Sequence, residues 1–313
     1  MTTYGGFHFN VVQLGREVTP GTLVAATTII RVPFGDIKEN RTVINPGKDE
    51  AIGLLMPTAR SYTTAESGTL TMPDAELTFE QFPHILEAGI ETATPVGAGP
   101  YVRTYDFPAA GAVNTIKTYS LRAGNVVVPN DQRAMEYSYV ESFKVSGKQA
   151  EAWKMGAVWH GRNVQQVALT ASVAVPAVEE AIFAKTKLYI DDSAGTIGTT
   201  QKTGVLMSAE INVKTGIIPV PVGDGELYFV GHKFDRPEVT TKIVLELETG
   251  DVVSAERAKW QSNALRLVRL KCEGSSITKI IQFDMAVQWT DVGAYTNASG
   301  NTTVEFTGEA YYS

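Results

Sequence analysis

The chain has 313 residues, with 27 Lys and Arg against 34 Asp and Glu for a formal charge of −7. That length suits two domains of roughly 150 residues. The acidic balance argues against a body that wraps nucleic acid through its phosphates, and the single cysteine, Cys272, excludes an internal disulfide framework. Charged residues make up only 19%, below the roughly 25% usual in soluble domains, which points to surface that is neutral or covered by neighbours.

Most segments alternate apolar and polar residues with period two and are rich in β-branched and aromatic side chains, the pattern of half-buried strands. Met1 to Asn10 has no basic residue ahead of an apolar run, so no secretory signal is expected. A strand is predicted over Thr27 to Arg31, then a long irregular excursion, Gly35 to Ser61, holding Asn45-Pro46-Gly47 with Lys48, Asp49 and Glu50. Gly68 to Leu77 reads as a strand leading into a helix over Thr78 to Ile90. Thr78 and Gln81 have capping-box spacing, Phe79, Phe82, Ile85, Leu86 and Ile90 form an apolar stripe, and Pro83 can move the start to Phe82. The uncharged stretch Val164 to Val178 is broken by Gln165, Gln166 and Pro176, so no membrane span is expected there. A domain boundary is placed in Val164 to Lys187, giving units 1–165 and 166–313.

A second excursion, Pro219 to Pro237, contains Gly223-Asp224-Gly225-Glu226. Thr241 to Glu248 alternates Ile243, Leu245 and Leu247 against Lys242, Glu246 and Glu248. A helix is predicted from about Ser254, as cap, to Leu265, burying Ala255, Ala258 and Trp260. Strands follow at Leu265 to Cys272, Lys279 to Trp289 and Thr303 to Ala310. Loops beyond about 12–15 residues are usually functional, so both excursions are candidates for contacts between subunits.

An internal repeat sharpens this picture. Phe143-Lys144-Val145-Ser146-Gly147 precedes Trp153, Met155 and Trp159 at alternate positions, and Leu270-Lys271-Cys272-Glu273-Gly274 precedes Phe283, Met285 and Trp289. Each half also places its helix directly after a strand. Duplication of one β-sandwich unit, each with a short flanking α-helix and a long inter-strand loop, is the simplest account of a mainly β chain with that order.

The catalytic inventory is thin. His8, His84, His160 and His232 are scattered, and no nucleophile elbow, dinucleotide fingerprint or phosphate loop occurs. No cofactor, metal or catalytic residue is expected. Asp191-Asp192 near Gly195 and Asp224-Gly225-Glu226 are explained by turn chemistry. Arg257, Lys259, Arg266, Arg269 and Lys271 form an acid-free run whose residues fall on both strand faces, which favours salt bridges or a subunit contact over a phosphate track. The wet faces of the late strands are net acidic: Glu246, Glu248, Asp284, Glu305 and Glu309.

Gly15-Arg16-Glu17-Val18-Thr19-Pro20-Gly21-Thr22, then Glu66-Ser67-Gly68-Thr69-Leu70-Thr71 running into LTFEQFPHILEAGI, and Lys187-Leu188-Tyr189-Ile190-Asp191 before Gly198 and Gly204, resemble the major tail tube protein of long-tailed (siphovirus-type) bacteriophages. The resemblance covers most of the chain through loose patterns. It implies a virion protein, assembled in the host cytoplasm, whose sheets join across subunits into rings that stack as a conduit for viral DNA, without an enzyme activity or a membrane. Its implied partners are further copies of itself, a tape measure protein, a tail terminator and distal tail or baseplate proteins. The duplication then implies trimeric rings with pseudo-sixfold symmetry. Glu246, Glu248, Asp284, Glu305 and Glu309 would face the lumen. Asn45, Pro46, Lys48, Asp49, Glu50, Asp224 and Glu226 would mediate stacking, together with an arm, Met1 to Pro20, that is mobile before assembly. The rival from another class is a carbohydrate- or receptor-binding adhesin of a phage fibre or baseplate; a β-sandwich hydrolase using Asp191 and Asp224 has the least support.

Overall fold

The computed structural model describes residues 5–107, 114–276, 278–298 and 300–311. The chain is mainly β, as its alternation requires. In order the elements are β1 (Asn10–Arg16), β2 (Thr28–Ile30), β3 (Ile37–Ile44), β4 (Tyr62–Glu76), α1 (Phe82–Gly89), β5 (Tyr119–Asn125), β6 (Arg133–Lys148), β7 (Lys154–Gln166), β8 (Thr186–Asp192), β9 (Gln201–Lys202) and β10 (Leu206–Lys214). They continue with β11 (Ile217–Val220), β12 (Gly231–Phe234), β13 (Glu238–Glu246), α2 (Val252–Gln261), β14 (Leu265–Glu273), β15 (Ile280–Val292), β16 (Thr296–Ala298) and β17 (Asn301–Tyr311).

Fifteen strands form one large, branched antiparallel sheet, and β11 and β12 make a separate hairpin. The first half of the chain follows the path β2-β1-β5-β6-β7-β4-β3, and the second half follows β9-β8-β14-β15-β17-β13-β10. The two paths correspond strand for strand in chain order, with α1 between β4 and β5 and α2 between β13 and β14. The hairpins expected to match from their aromatic spacing occupy different places: β6 and β7 are fourth and fifth on their path, whereas β14 and β15 are third and fourth. The expected register is therefore one strand off, because a Gly turn between two aromatic-rich strands recurs at successive hairpins of the same sheet.

The strand β6 is long enough to serve both halves. One edge pairs along its length with β7; the other pairs with β5 over Arg133 to Ser138 and with β10 over Ser142 to Lys148. The core is continuous across this joint. Phe82 of α1 lies 6.1 Å from Phe143 and 6.0 Å from Phe283, and Trp153 lies 5.9 Å from Phe283. Trp153, Met155, Trp159, Met285 and Trp289 are buried, and Phe283 is half-buried against them. Between β7 and β8 the chain lies on the first half, with Trp153 N–H donating to Ala181 and Ala181 N–H to Leu77, at 2.7 and 2.9 Å.

Local details correct several expectations. The first helix begins at Phe82, where Pro83 fits the first turn that needs no amide donor; Thr78 instead accepts from Gln81 N–H at 3.3 Å in the turn before it. The second helix starts at Val252, two residues before Ser254, because Asp251 takes a left-handed conformation (φ 61°) that sets the entry, and it ends at Gln261. Its buried residues are Val253 and Glu256; Trp260 is partly buried against the core, whereas Ala255 and Ala258 are exposed. The first excursion contains β3 and is irregular only from Asn45 to Ser61; the second contains the β11–β12 hairpin. The segment Asn10–Arg16 of the expected mobile arm is β1, and Glu17 is buried, accepting from Gly21 N–H, Tyr137 N–H, Thr118 and Ser120 at 2.8 to 3.0 Å. Met1 to Tyr4 lie outside the described residues.

Candidate functional site

Three surface features stand out: a polar sheet face, two open strand edges and two unlike excursions. On the face opposite the core, β6, β10, β13 and β17 present a ladder of charge. Lys144 pairs with Glu210 at 2.9 Å, Glu210 sits opposite Lys242 in register, and Lys242 reaches Glu305 at 3.6 Å. Glu246 and Glu309 share that face opposite Thr303 and Thr240, as do Lys148 opposite Ser208 and the pair Lys214–Glu238 at 2.6 Å, so acids exceed bases on it only slightly. Asp284 is on the same face, since Gln288, four residues along β15, pairs with Glu309, but it stands apart from the ladder. It lies on β15 beyond the last β17 pair, Ala286 with Tyr311, and is held by Arg269 through two bonds of 2.7 Å. Glu248 lies past the end of β13, before α2. The end of β17 sets Asp284 apart from the others along the sheet, and period-two alternation alone carries no such information.

The open edges follow from the branched topology. Beyond its β4 pairs, the second edge of β3 carries no strand among the described residues. On β15, β14 pairs only as far as Gln288, while β17 continues through Val292 and on along β16. The outer edge from Trp289 to Ala298 is therefore also open among the described residues. These are the counterparts of the strands already joined inside the chain: β3 matches β10, and the β15–β16 run matches β6. The other path ends, β2 and β9, are three and two residues long, short enough to blunt further pairing. The eight-residue edge of β3 is not.

The excursions differ in where their apolar residues go. Gly47, in the turn Pro46–Lys48, packs against Thr58 so tightly that a Cβ would strike the Thr58 carbonyl, closing the loop base, and Arg60 pairs with Glu50. Ile52, Leu54, Leu55 and Met56 at its tip are exposed. Asn45, Lys48 and Asp49 lie at the base. The second excursion folds back on the first half. Phe229 is buried between Tyr137 and His160, each 5.5 Å away; Arg162 donates to the Phe229 carbonyl at 2.9 Å, and Glu66 N–H donates to the Leu227 carbonyl at 2.9 Å. Asp224 and Glu226 are exposed at its turn. Tyr137 (φ 51°) bulges out of β6, and its hydroxyl meets His232 Nδ1 at 3.1 Å. Burial lowers the pKa of both His160 and His232. No local motif signalled this pair, because His160 and His232 are 72 positions apart and meet only through the fold-back.

Each half carries a buried helix carboxylate at the same place. Glu87 of α1 binds Arg16 at the end of β1 and the Tyr119 hydroxyl (3.0 Å) at the start of β5. Glu256 of α2 binds Arg266 at the start of β14, at 2.8 and 3.0 Å, and Trp289 Nε1 at 3.1 Å, while Asp192 at the end of β8 also pairs with Arg266. The basic run is consumed by such pairs: Lys259 with Asp192, Arg266 with Glu256, Arg269 with Asp284 and Lys271 with Glu273. Arg257 is the exception. Its Nε and Nη2 are buried without a hydrogen-bond partner among the described residues, and its guanidinium stacks 5.2 Å from the ring of exposed Tyr295.

Asp191 holds the turn after β8, accepting from the amides of Gly198, Thr199 and Thr200 at 2.8 to 3.1 Å, which is the turn role expected of it. Among the described residues, no group of three or more His, Cys, Asp or Glu is arranged to hold a metal, and no helix is long and apolar enough to cross a membrane. No protein-family model matches the chain, and no curated protein matches it.

Proposed function

We propose that this chain is a structural subunit: two copies of one β-sandwich unit, fused edge to edge, that assemble into closed rings and stack as a bacteriophage tail tube for DNA passage. One observation carries the reading. The β6–β10 joint connects two matching strand paths, and the counterparts of its two edges stay open at β3 and at β15–β16. A chain that contains the joint once and offers both its halves again carries the two matching edges that such an assembly needs. A head-to-tail contact of this kind closes into a ring when its rotation divides a full turn. With two units per chain, pseudo-sixfold rings contain three copies.

The charged face supports the conduit role. If β6, β10, β13 and β17 line the lumen, Glu210, Glu238, Glu246, Glu305 and Glu309 against Lys144, Lys148, Lys214 and Lys242 give a wall with a slight acidic excess, which does not adsorb a polyanion. Asp284 lies on the same face but is paired with Arg269, and Glu248 lies past the end of β13. The exposed tip of Ile52, Leu54, Leu55 and Met56 is assigned to stacking between rings. An adhesin has less support, since Trp153, Trp159 and Trp289 are buried in the core; glycan binding by the monomer would favour it.

The test is electron microscopy and mass measurement of the purified full chain. Rings of three copies, or tubes of stacked rings, are expected. A monodisperse monomer over the whole accessible concentration range would overturn the assembly reading, and six chains per ring would overturn the pairing of units.

A further inference from the structure

The contact between copies is not a plain repeat of the contact within the chain. Correspondence of the strands fixes which residues would meet. Leu70 pairs with Ile37 and Trp159, as Ile243 pairs with Ala209 and Phe306. Ile37 therefore matches Ala209, Glu39 matches Ile211, and Arg41 matches Val213. On the receiving side Val140 faces Trp159 as Val292 faces Phe306. With Thr296 opposite Thr303, Tyr295 takes the place of Phe143, and Asn297 that of Val145. Glu87 and Glu256 match as helix clamps, so Arg257 takes the place of Ala88.

Inside the chain this contact is dry on its core side: Val145 faces Ile211, Phe143 faces Val213, and Ala88 is fully buried. Between copies the same positions carry Asn297, Tyr295 and Arg257 on one side and Glu39 and Arg41 on the other. Arg41 is already paired with Glu66 at 2.9 Å, whereas Glu39 has only a loose 3.7 Å contact to Arg41. A free carboxylate and a desolvated guanidinium lacking acceptors thus sit on the two matching edges.

We propose, on the basis of the assembly reading above, that Arg257 of one copy receives the Glu39 carboxylate of β3 from a second copy. The incoming strand lies antiparallel along Trp289 to Ala298, with Glu39 opposite Asn297 and Arg41 opposite Tyr295. Glu39 then reaches diagonally past Tyr295, within the range of cross-strand neighbours, to the guanidinium stacked on that ring. This contact is charge-assisted and polar where the internal one is apolar. Copies can remain dispersed at high salt or low concentration and join when conditions favour the pair.

Charge exchange tests it. Arg257→Glu is expected to raise the concentration needed for ring formation by about 30-fold or more, the scale of losing a buried interfacial charge pair, and to leave the melting temperature of the monomer nearly unchanged. Arg257→Glu with Glu39→Arg is expected to restore assembly. If Arg257→Glu assembles like the wild type, or if the folded double variant does not recover, the pairing is wrong while the assembly reading stands. Glu39→Cys with Asn297→Cys gives an independent reading. Directly opposed antiparallel Cα atoms are about 4.5–5.5 Å apart, within disulfide range, so oxidation should link assembled copies into covalent multimers. Assembled rings that never cross-link overturn the register. A wild type that does not assemble overturns both proposals.

Discussion

Replacing Glu256 by Ala should unfold this protein more readily than any neighbouring surface change. The carboxylate is 1% exposed and accepts three hydrogen bonds, two from Arg266 and one from Trp289. Removing it leaves a guanidinium whose side chain is 6% exposed with only Asp192, itself 64% exposed, as counter-ion. Breaking a buried pair in this way costs about 3–5 kcal/mol. At about 2 °C per kcal/mol for a chain of this size, the melting temperature should fall by roughly 6–10 °C. Glu256→Gln keeps one acceptor for Trp289 or Arg266 and should lose about half as much. The matching change, Glu87→Ala, should cost less, about 1–3 kcal/mol, because the Arg16 side chain is 45% exposed and regains water. Urea and thermal unfolding followed by circular dichroism would measure all three. A loss below about 1 kcal/mol for Glu256→Ala, or a larger loss for Glu87→Ala, would refute the argument that desolvation of the partner sets the cost.

Two further outcomes follow from the sheet faces. His160 and His232 hold the β11–β12 hairpin in place as neutral rings, among Tyr137, Tyr139, Phe229, Arg162 and, beside His160, Glu141. Their folded pKa values lie below the ordinary 6.5, so the unfolded or undocked form binds protons first as pH falls. Docking is complete above about pH 6.5 and weakens below it; the protection of amides 217–234 relative to their intrinsic exchange rate should fall with acid, and equal protection at pH 5 and pH 8 would contradict this. Reversing Glu246, Glu305 and Glu309 to Lys should leave ring formation intact but make assembled tubes retain DNA in a co-sedimentation assay, while unchanged sedimentation of DNA would remove these residues from the lumen.

Period-two alternation was sufficient to read the chain as mainly β, and both helices lie directly after a strand as expected, the first with the apolar stripe that marks it. Pro83 marked the first start correctly. Asp251 misled the second, since a left-handed non-glycine residue leaves no trace in a helical pattern. The inward tryptophans were legible because core faces repeat every second residue. Their hairpin register was not, because a one-strand shift preserves that period. Among the acids, Glu305 and Glu309 share a strand and hence a face, whereas the isolation of Asp284 depends on where β17 ends. Arg257 was visible only as one base in a run of five; its lack of an acceptor emerges when Lys259, Arg266, Arg269 and Lys271 each find a carboxylate in three dimensions.

The β6–β10 joint also bears on how an assembly would nucleate. A ring of single units must gather every member from solution, and each contact can be undone by dilution. In the proposed ring half of the contacts would be formed within one polypeptide, where loop closure replaces bimolecular encounter and the effective local concentration does not depend on how much protein the cell has made. Growth is then of lower kinetic order, and a ring can come apart only at every second seam. The charged pair proposed for those seams, with the dry contact at the others, would divide the labour between them: one kind of seam would set permanence, and the other would set when assembly begins.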